Sequence, residues 1–407
     1  MVTTSRAAVR RIAVARLISL TGGAAAYMAL NYTIYQRTGS ATWVAATLFL
    51  TFGTVGFVSP FTSMLGDRFD RKKVMIASDL GGAIFFFAMS LVHAPVPLLG
   101  FAFGSALAES PFLSASTAAI PNLVDEDRLG WANGLVSLGR NSGILLGPLL
   151  GGVLVATIGS GAVFAANAVT FLVSAALVAT VRGNFNASHH QSEEHRGVKA
   201  GFRFVIHDRV LRTVALSWLA IVLGLGMTMV ADVPLVNLFG VGSFGYGVLI
   251  ACWGGGSIVG SLFGRWVRSS NERLVLVLGT GVVAATSLAV GLSPWFVFIL
   301  GAVFAMGVAD SLSMVAEQGL MQRRTPDVVR SRVSGAFDAI INVGMAVSYV
   351  VAGPAVAWLG PKRVYVVGGA VAMVGLLIAL PILRSREDVT ATVLEPAASD
   401  LPTLVVP

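Results

Sequence analysis

Twelve apolar stretches, each long enough to cross a bilayer as a helix, fill almost all of this 407-residue chain. Hydrocarbon offers backbone N–H and C=O groups no water, so only helices and closed barrels span it. A spanning helix needs about 20 mainly apolar residues. The stretches lie near 13–35, 42–65, 74–93, 97–120, 131–157, 161–181, 210–232, 245–267, 273–292, 295–318, 332–358 and 362–383, and the first and tenth carry the most polar residues. They are continuous rather than alternating, which argues against a barrel. Only 12% of the residues are charged, against about 25% in soluble domains. The chain is therefore predicted to be an all-α membrane protein.

The net charge of +8 is distributed by topology rather than gathered into a nucleic-acid face. With the N-terminus inside, 24 of the 28 Lys and Arg fall in the tails and even-numbered loops. Arg37, Lys362 and Arg363 fall on the other side, and Arg140 alone lies well inside a span rather than near its end. Cytoplasmic loops retain Lys and Arg, so both termini are expected in the cytoplasm and no nucleic acid is expected as partner. The basic start followed by Ala24-Ala25-Ala26 imitates a secretory signal. With so many spans following, it reads as an uncleaved first helix. Only four of the basic residues are Lys, a bias of GC-rich bacterial coding, and the expected location is the bacterial inner membrane.

Several chemistries are excluded early. Cys252 is the single cysteine, which leaves neither a disulfide framework nor a thiolate zinc site. No Gly-x-x-x-x-Gly-Lys-Ser/Thr loop occurs, so ATP is not expected as direct energy source. No catalytic triad or metal-spaced ligand set stands out, and no enzyme activity, cofactor or metal is expected. His189, His190, Glu193, Glu194 and His195 lie together, but in a polar linker where a solvated loop is the simpler reading.

The longest interior hydrophilic segment, 182–208, divides six spans from six. The expected organisation is an N-terminal six-helix bundle over 1–182, a cytoplasmic linker over 183–208 and a C-terminal bundle over 209–384. A disordered polar tail over 385–407 follows. Phe202, Val205 and Ile206 recur at helical spacing in the linker and suit a helix on the inner membrane surface. Gly134, Gly143, Gly152 and Gly159 match Gly335, Gly344, Gly353 and Gly360 at a constant separation of 201 residues. Duplicated six-span halves are the architecture of a secondary transporter with a central site between them.

Two motifs narrow this further. Ser63-Met64-Leu65-Gly66-Asp67-Arg68-Phe69-Asp70-Arg71-Lys72, between spans two and three, resembles the major facilitator loop G-x-x-x-D-R-x-G-R-K/R, with Ser63 and Asp70 in place of glycines. Gly143-Ile144-Leu145-Leu146-Gly147-Pro148-Leu149-Leu150-Gly151-Gly152, in span five, looks like the antiporter motif of the same superfamily. Ile120-Pro121-Asn122-Leu123-Val124 before Trp131-Ala132-Asn133-Gly134, and Ala200-Gly201-Phe202-Arg203-Phe204, are similar to the macrolide-efflux and enterobactin-exporter branch of drug:proton antiporters. The resemblance implies a major facilitator fold of twelve helices in two pseudo-symmetric bundles. It also implies proton-driven export of an amphipathic small molecule, an antibiotic, siderophore or other metabolite. A monomer is expected, with protons and membrane lipids as its other partners. Many members of that branch carry an acid in span one, where this chain has Gly22-Gly23. An importer or lipid flippase on the same fold, and a scaffold or receptor that transports nothing, are the alternatives.

Ionisable residues inside a bilayer are functional candidates by default. Glu109 and Arg140 lie at matching depth, roughly 14–17 Å in at 1.5 Å per residue, and are expected to pair. A static ion pair and a proton-responsive pair are both open readings. Asp310 stands at the corresponding place in span ten, with Glu317 and Asp338 nearer the cytoplasm. Asp338 is expected to join a gate network with Arg332 or Arg323. Asp232, beside Pro234, reads as hydrated at the outer end of span seven or as part of an outer gate. Asp67, Arg68, Arg71 and Lys72 form the candidate gate loop. Gly143, Gly147, Pro148, Gly151 and Gly152 allow close helix approach; ordinary packing and a barrier to proton leak are the two readings. Asn31, Tyr35, Asn141 and Trp253 are candidate cavity residues, joined by Tyr32, Phe52, Phe57, Met227, Met229 and Met345.

A carboxylate at Asp67 would be stabilised by the N-terminal dipole of span eleven, near Arg332-Val333-Ser334-Gly335, when the cytoplasmic side is closed. Asp67→Asn is expected to abolish or strongly slow transport while leaving membrane insertion intact. Uptake into vesicles, normalised to inserted protein, checks this, and wild-type turnover would count against it.

Overall fold

The computed structural model describes residues 2–54, 58, 68–124, 128–183, 185 and 198–384. Within these, positions 2–5, 121, 133, 137, 140, 141, 198–200, 327, 328, 331 and 384 are described by backbone alone. In chain order the helices are α1 (Val2–Thr38), α2 (Ala41–Leu48, running into a π-turn at Phe49–Gly53), α3 (Arg71–Leu91), α4 (Pro95–Leu123), α5 (Leu129–Ile158), α6 (Ser160–Thr180) and α7 (Val198–His207). They continue as α8 (Arg209–Leu238), α9 (Gly242–Phe263), α10 (Glu272–Leu292), α11 (Phe296–Arg324), α12 (Asp327–Leu359) and α13 (Pro361–Ala379). Among the described residues, ten helices are long and apolar enough to cross a membrane, and two shorter apolar segments, Ala41–Gly53 and Ser142–Ile158, stand at the second and fifth expected spans. The polar residues of the first and tenth stretches do not interrupt their helices. The fifth expected span lies within one unbroken helix, α5, from Leu129 to Ile158. The rest of span two, with Phe57, and the C-terminal tail lie outside the described residues.

The face where α1 begins is called here the terminal face and the opposite one the far face. Large apolar side chains point outward around the helices, among them Trp295, Val297 and Trp358. Trp295 and Trp358 stand at far-face helix ends, where an amphipathic ring suits the interface.

Helix packing is duplicated. α1 packs on α5 and α6, and α3 packs on α4 and α6. Six spans later, α8 packs on α12 and α13, and α10 on α11 and α13. Among the described residues the two broadest contacts between the halves are α5 with α9 and α2 with α12, and each is the other's counterpart. The repeated glycines give this repeat its atomic form. Gly159 and Gly360 end α5 and α12 with nearly the same backbone angles, φ 82 and ψ 164 against φ 81 and ψ 160. A left-handed φ is cheap only for glycine, so both hairpins turn in the same way. A Cβ on Gly152 would lie 2.8 Å from the Ser243 carbonyl oxygen, and one on Gly353 would lie 2.9 Å from Thr42 Cα. Thr42 and Ser243 are themselves separated by the repeat distance. At the far face, Gln36 also donates to Asn237 Oδ1 across the halves at 3.2 Å. Gly53 against Ala346 and Gly254 against Leu145 carry the seam to mid-bilayer.

α7 does more than lie on the membrane. Ile206 is exposed, but Val205 is buried and Phe202 packs with it into the core of the second half. Gly201 sits directly on the Arg332 backbone of α12. Asp208 fixes the turn into α8, accepting from Val210 and Leu211 N–H, each at 2.9 Å, and pairing with Arg324 at 3.2 Å. Both partners of that pair are largely buried. A cap is worth about 0.5–2 kcal/mol, and breaking a buried pair costs about 3–5 kcal/mol. Asp208→Ala is expected to lower thermal stability in detergent more than Asp208→Asn, because asparagine keeps the cap and loses only the charge. A melting curve of each checks the order.

Candidate functional site

Glu109 sits half-buried near the middle of α4. Its Oε1 accepts from Ser105 Oγ, one turn earlier, at 3.0 Å and from Tyr27 OH of α1 at 3.3 Å. The Tyr27 ring is held by Phe52 at 5.5 Å and by Phe86, edge-on, at 5.8 Å, and Phe86 stacks on Phe171. Four helices, α1, α3, α4 and α6, together with the π-turn after α2, thus aim one phenol at one carboxyl. The Arg140 and Asn141 side chains lie outside the described residues. α5 packs chiefly on α1 and α9 rather than on α4, so adjacency in sequence does not make α4 and α5 main partners. α1 supplies the contact instead.

A second buried charge cluster lies nearer the terminal face. Arg16 of α1 donates to Ser116 Oγ at 2.8 Å and lies over the Phe112 ring. Asp79 of α3, 2% exposed, sits beside Ser174 and within electrostatic reach of Arg16. Neither charge was singled out from the sequence, because Arg16 reads as part of the basic start of the chain and Asp79 lies close to the start of span three. The available signal was one charge of each sign inside two apolar runs.

In the other half, Asp310 is half-buried in α11, and Glu317, two turns on, is buried. Glu317 lies within electrostatic reach of both Asp310 and Asp338, and Asp338 is exposed on α12. The expected gate partner Arg323 is engaged elsewhere, in an ion pair with Glu272 at the start of α10. Arg323 turns to α10 because α10 rather than α12 receives the end of α11.

The loop motif divides. Asp67 lies outside the described residues, and Arg68 is exposed. Arg71 donates to the carbonyls of Ala118 and Phe185 at 3.1 and 3.3 Å. Lys72 donates to those of Ala179 and Val181 at 2.8 and 2.9 Å. The two cations therefore engage the C-terminal ends of α4 and α6, where helix dipoles favour positive charge. Asp70, standing where the family pattern has glycine, caps α3 by accepting from Lys73 N–H at 3.0 Å.

The antiporter-like motif is a two-sided backbone contact. Gly143, Gly147 and Gly151 lie against α1, where a Cβ on Gly147 would come 2.7 Å from the Thr21 carbonyl oxygen. Pro148 and Gly152 face α9 instead, with the Pro148 carbonyl against Gly247. Of the cavity candidates, Asn31 is buried, and Tyr35 and Trp253 are half-buried. Asn31 Oδ1 and Trp253 Nε1 are buried without a hydrogen-bond partner among the described residues. Tyr349 OH lies 3.7 Å from Met229 Sδ. Asp232 is bonded to Tyr365 OH, inside the helix packing rather than standing free at the surface. Among the described residues no His, Cys, Asp or Glu group suits a metal ion.

The family model described as Major Facilitator Superfamily matches residues 12–269 and 233–404. The chain is 27% identical over 345 residues to an uncharacterized MFS-type transporter of Bacillus subtilis (strain 168), YfiS, covering 81% of this chain and 82% of that one. It is 26% identical over 398 residues to the enterobactin exporter EntS of Escherichia coli O1:K1 / APEC, covering 93% and 92%. The crystal structure of the nucleoside transporter NupG superposes with a TM-score of 0.77 at 12% identity, over 93% of this chain and 100% of that chain, a likeness of fold.

The buried Arg16 and Asp79 make a stability prediction. Leaving one charge without its counter-charge costs about 3–5 kcal/mol. Arg16→Gln and Asp79→Asn are each expected to lower the melting temperature, and the double variant to lose less than the sum of the two. A double-mutant cycle measures that coupling; strict additivity would show the charges to be independent.

Proposed function

This chain belongs to the Major Facilitator Superfamily and is a membrane transporter rather than an enzyme, and from that premise we propose that it expels an amphipathic small molecule in exchange for protons. In this reading the two halves rock about a central cavity in the bacterial inner membrane, with both termini cytoplasmic.

The observation that carries the reading is the carboxyl of Glu109, dressed by two hydroxyls and reached from α1. Removing a carboxylate from water costs several kcal/mol, while each hydrogen bond to a charged group returns about 1.5–3 kcal/mol. These terms are of similar size, so proton gain and loss at Glu109 both remain accessible. A proton carrier needs that balance. Tyr27 supplies a connection to span one, which lacks an acid of its own, so a change at Glu109 can be felt by α1. Through its glycine contact α1 passes that change to α5, and α5 touches the other half at α9. Asp310, at the corresponding place in α11, is the second candidate for proton coupling.

Export rather than import is supported by the full antiporter-like motif and by the likeness to an enterobactin exporter. An amphipathic cargo is supported by the cavity candidates, in which Trp253, Tyr35 and Tyr32 stand with Asn31. Aromatic walls with a few placed polar atoms suit such ligands.

In proteoliposomes with an imposed pH gradient, Glu109→Gln is expected to lose pH-driven transport while retaining exchange of labelled for unlabelled cargo. Tyr27→Phe is expected to retain coupling with a shifted pH profile. Transport by Glu109→Gln that still follows the gradient would remove Glu109 from the mechanism.

A further inference from the structure

At the far face a second polar network crosses the boundary between the halves, and the mechanism above does not use it. Asp232, two turns from the end of α8, accepts a hydrogen bond from Tyr365 OH of α13. Tyr246 of α9, 3% exposed, lies within electrostatic reach of both Asp232 and Tyr365. On its other side Tyr246 lies near Asn31 on α1, in the opposite half. The adjoining residues close the same seam, since Ser243 Oγ donates to the Gly152 carbonyl at 3.1 Å and Tyr32 meets the Ser243 backbone.

The charge inventory here is lopsided. Among the described residues the titratable groups acting on Asp232 are the two phenols, Tyr365 and Tyr246. Of the two cations that begin α13, Lys362 is placed over the Phe239 ring at 5.0 Å and Arg363 is exposed. Among the described residues no donor reaches the buried Asn31 Oδ1. A partly satisfied buried network is a place of high energetic stakes.

We propose that Asp232, through Tyr365, Tyr246 and Asn31, is a proton-operated latch on the far-face seam. Neutral Asp232 is accommodated by the two phenols, and the seam closes. An ionised carboxylate without a cation gains most from water, and water reaches it when the seam parts. Proton arrival from the far side therefore favours closure, and proton loss favours opening. This deepens the exchange reading and rests on it for direction, because a latch of this sense returns an emptied exporter to the state that accepts cargo at the terminal face.

The test is a distance measurement that needs neither cargo nor transport. Spin labels at Ser40→Cys and Leu238→Cys, in a Cys252→Ala background, report the separation of α1–α2 from the end of α8 in lipid nanodiscs. As pH rises, the parent distribution is expected to move to longer distance. Asp232→Asn is expected to keep the short population at every pH. Should Asp232→Asn fail to yield folded protein, Tyr365→Phe keeps the carboxyl and removes its donor, and is expected to enlarge the long-distance population at a given pH. A pH response in Asp232→Asn equal to the parent's, or a Tyr365→Phe distribution identical to the parent's, overturns the latch. So does a response abolished by Glu109→Gln yet kept by Asp232→Asn. Because the readout is conformational, failure of pH-driven export and failure of the latch are distinguishable results.

Discussion

The close approach of α5 to two neighbours at once is the contact on which the rest of the architecture depends. Lipid tails are as apolar as the helices, so there is little hydrophobic gain in bringing helices together. Dispersion over short distances has to hold them, and it falls away steeply with a small gap. Gly143, Gly147 and Gly151 let α5 lie on α1, and Gly152 with Pro148 lets it lie on α9. One helix is in this way fixed to its own half and pressed to the other. Its counterpart α12 repeats the arrangement, through Gly344 on α8 and Gly353 on α2.

Such a seam suits a moving part. Contacts made of glycine backbone and small side chains carry no interlocking groups that must be withdrawn before the halves separate. What is added to them is polar and sparse: Gln36 with Asn237, Ser243 with the Gly152 carbonyl, and the Asp232–Tyr365–Tyr246–Asn31 group. Each can exchange protein partners for water on opening. By contrast, the charges inside each half are held by partners within that half. Arg16 and Asp79 join α1, α3 and α4, Asp208 and Arg324 tie the linker to α11, and Glu272 and Arg323 tie α10 to α11. Cohesion within the halves and lightness between them follow from this division of polar groups.

The fold was legible in the sequence to an unusual extent, because a bilayer permits few structures. Helix-length apolar runs, the basic bias of alternate loops and the glycine repeat each followed from a constraint that acts locally. The site was legible only in part. Glu109 and Asp310 announced themselves as acids in apolar runs, but their neighbours did not. Tyr27 looks like any aromatic residue of a membrane helix until α1 turns it toward α4. Arg323 and Glu272, though separated by 51 residues, meet because α10 and α11 form a hairpin, a pairing that spacing along a single helix cannot disclose. Asp70 departs from the family pattern yet serves as a cap, a use visible only where the backbone of α3 begins.

By itself the sequence determined that this chain lives in a membrane, spans it as helices and repeats itself, since hydrogen-bond satisfaction and hydropathy are properties of contiguous residues. Only the tertiary structure decided which charges answer one another and where the halves touch. Those choices depend on helix rotation and on approaches of a few ångströms between residues far apart in the chain, and a linear pattern of residue types does not encode them one at a time.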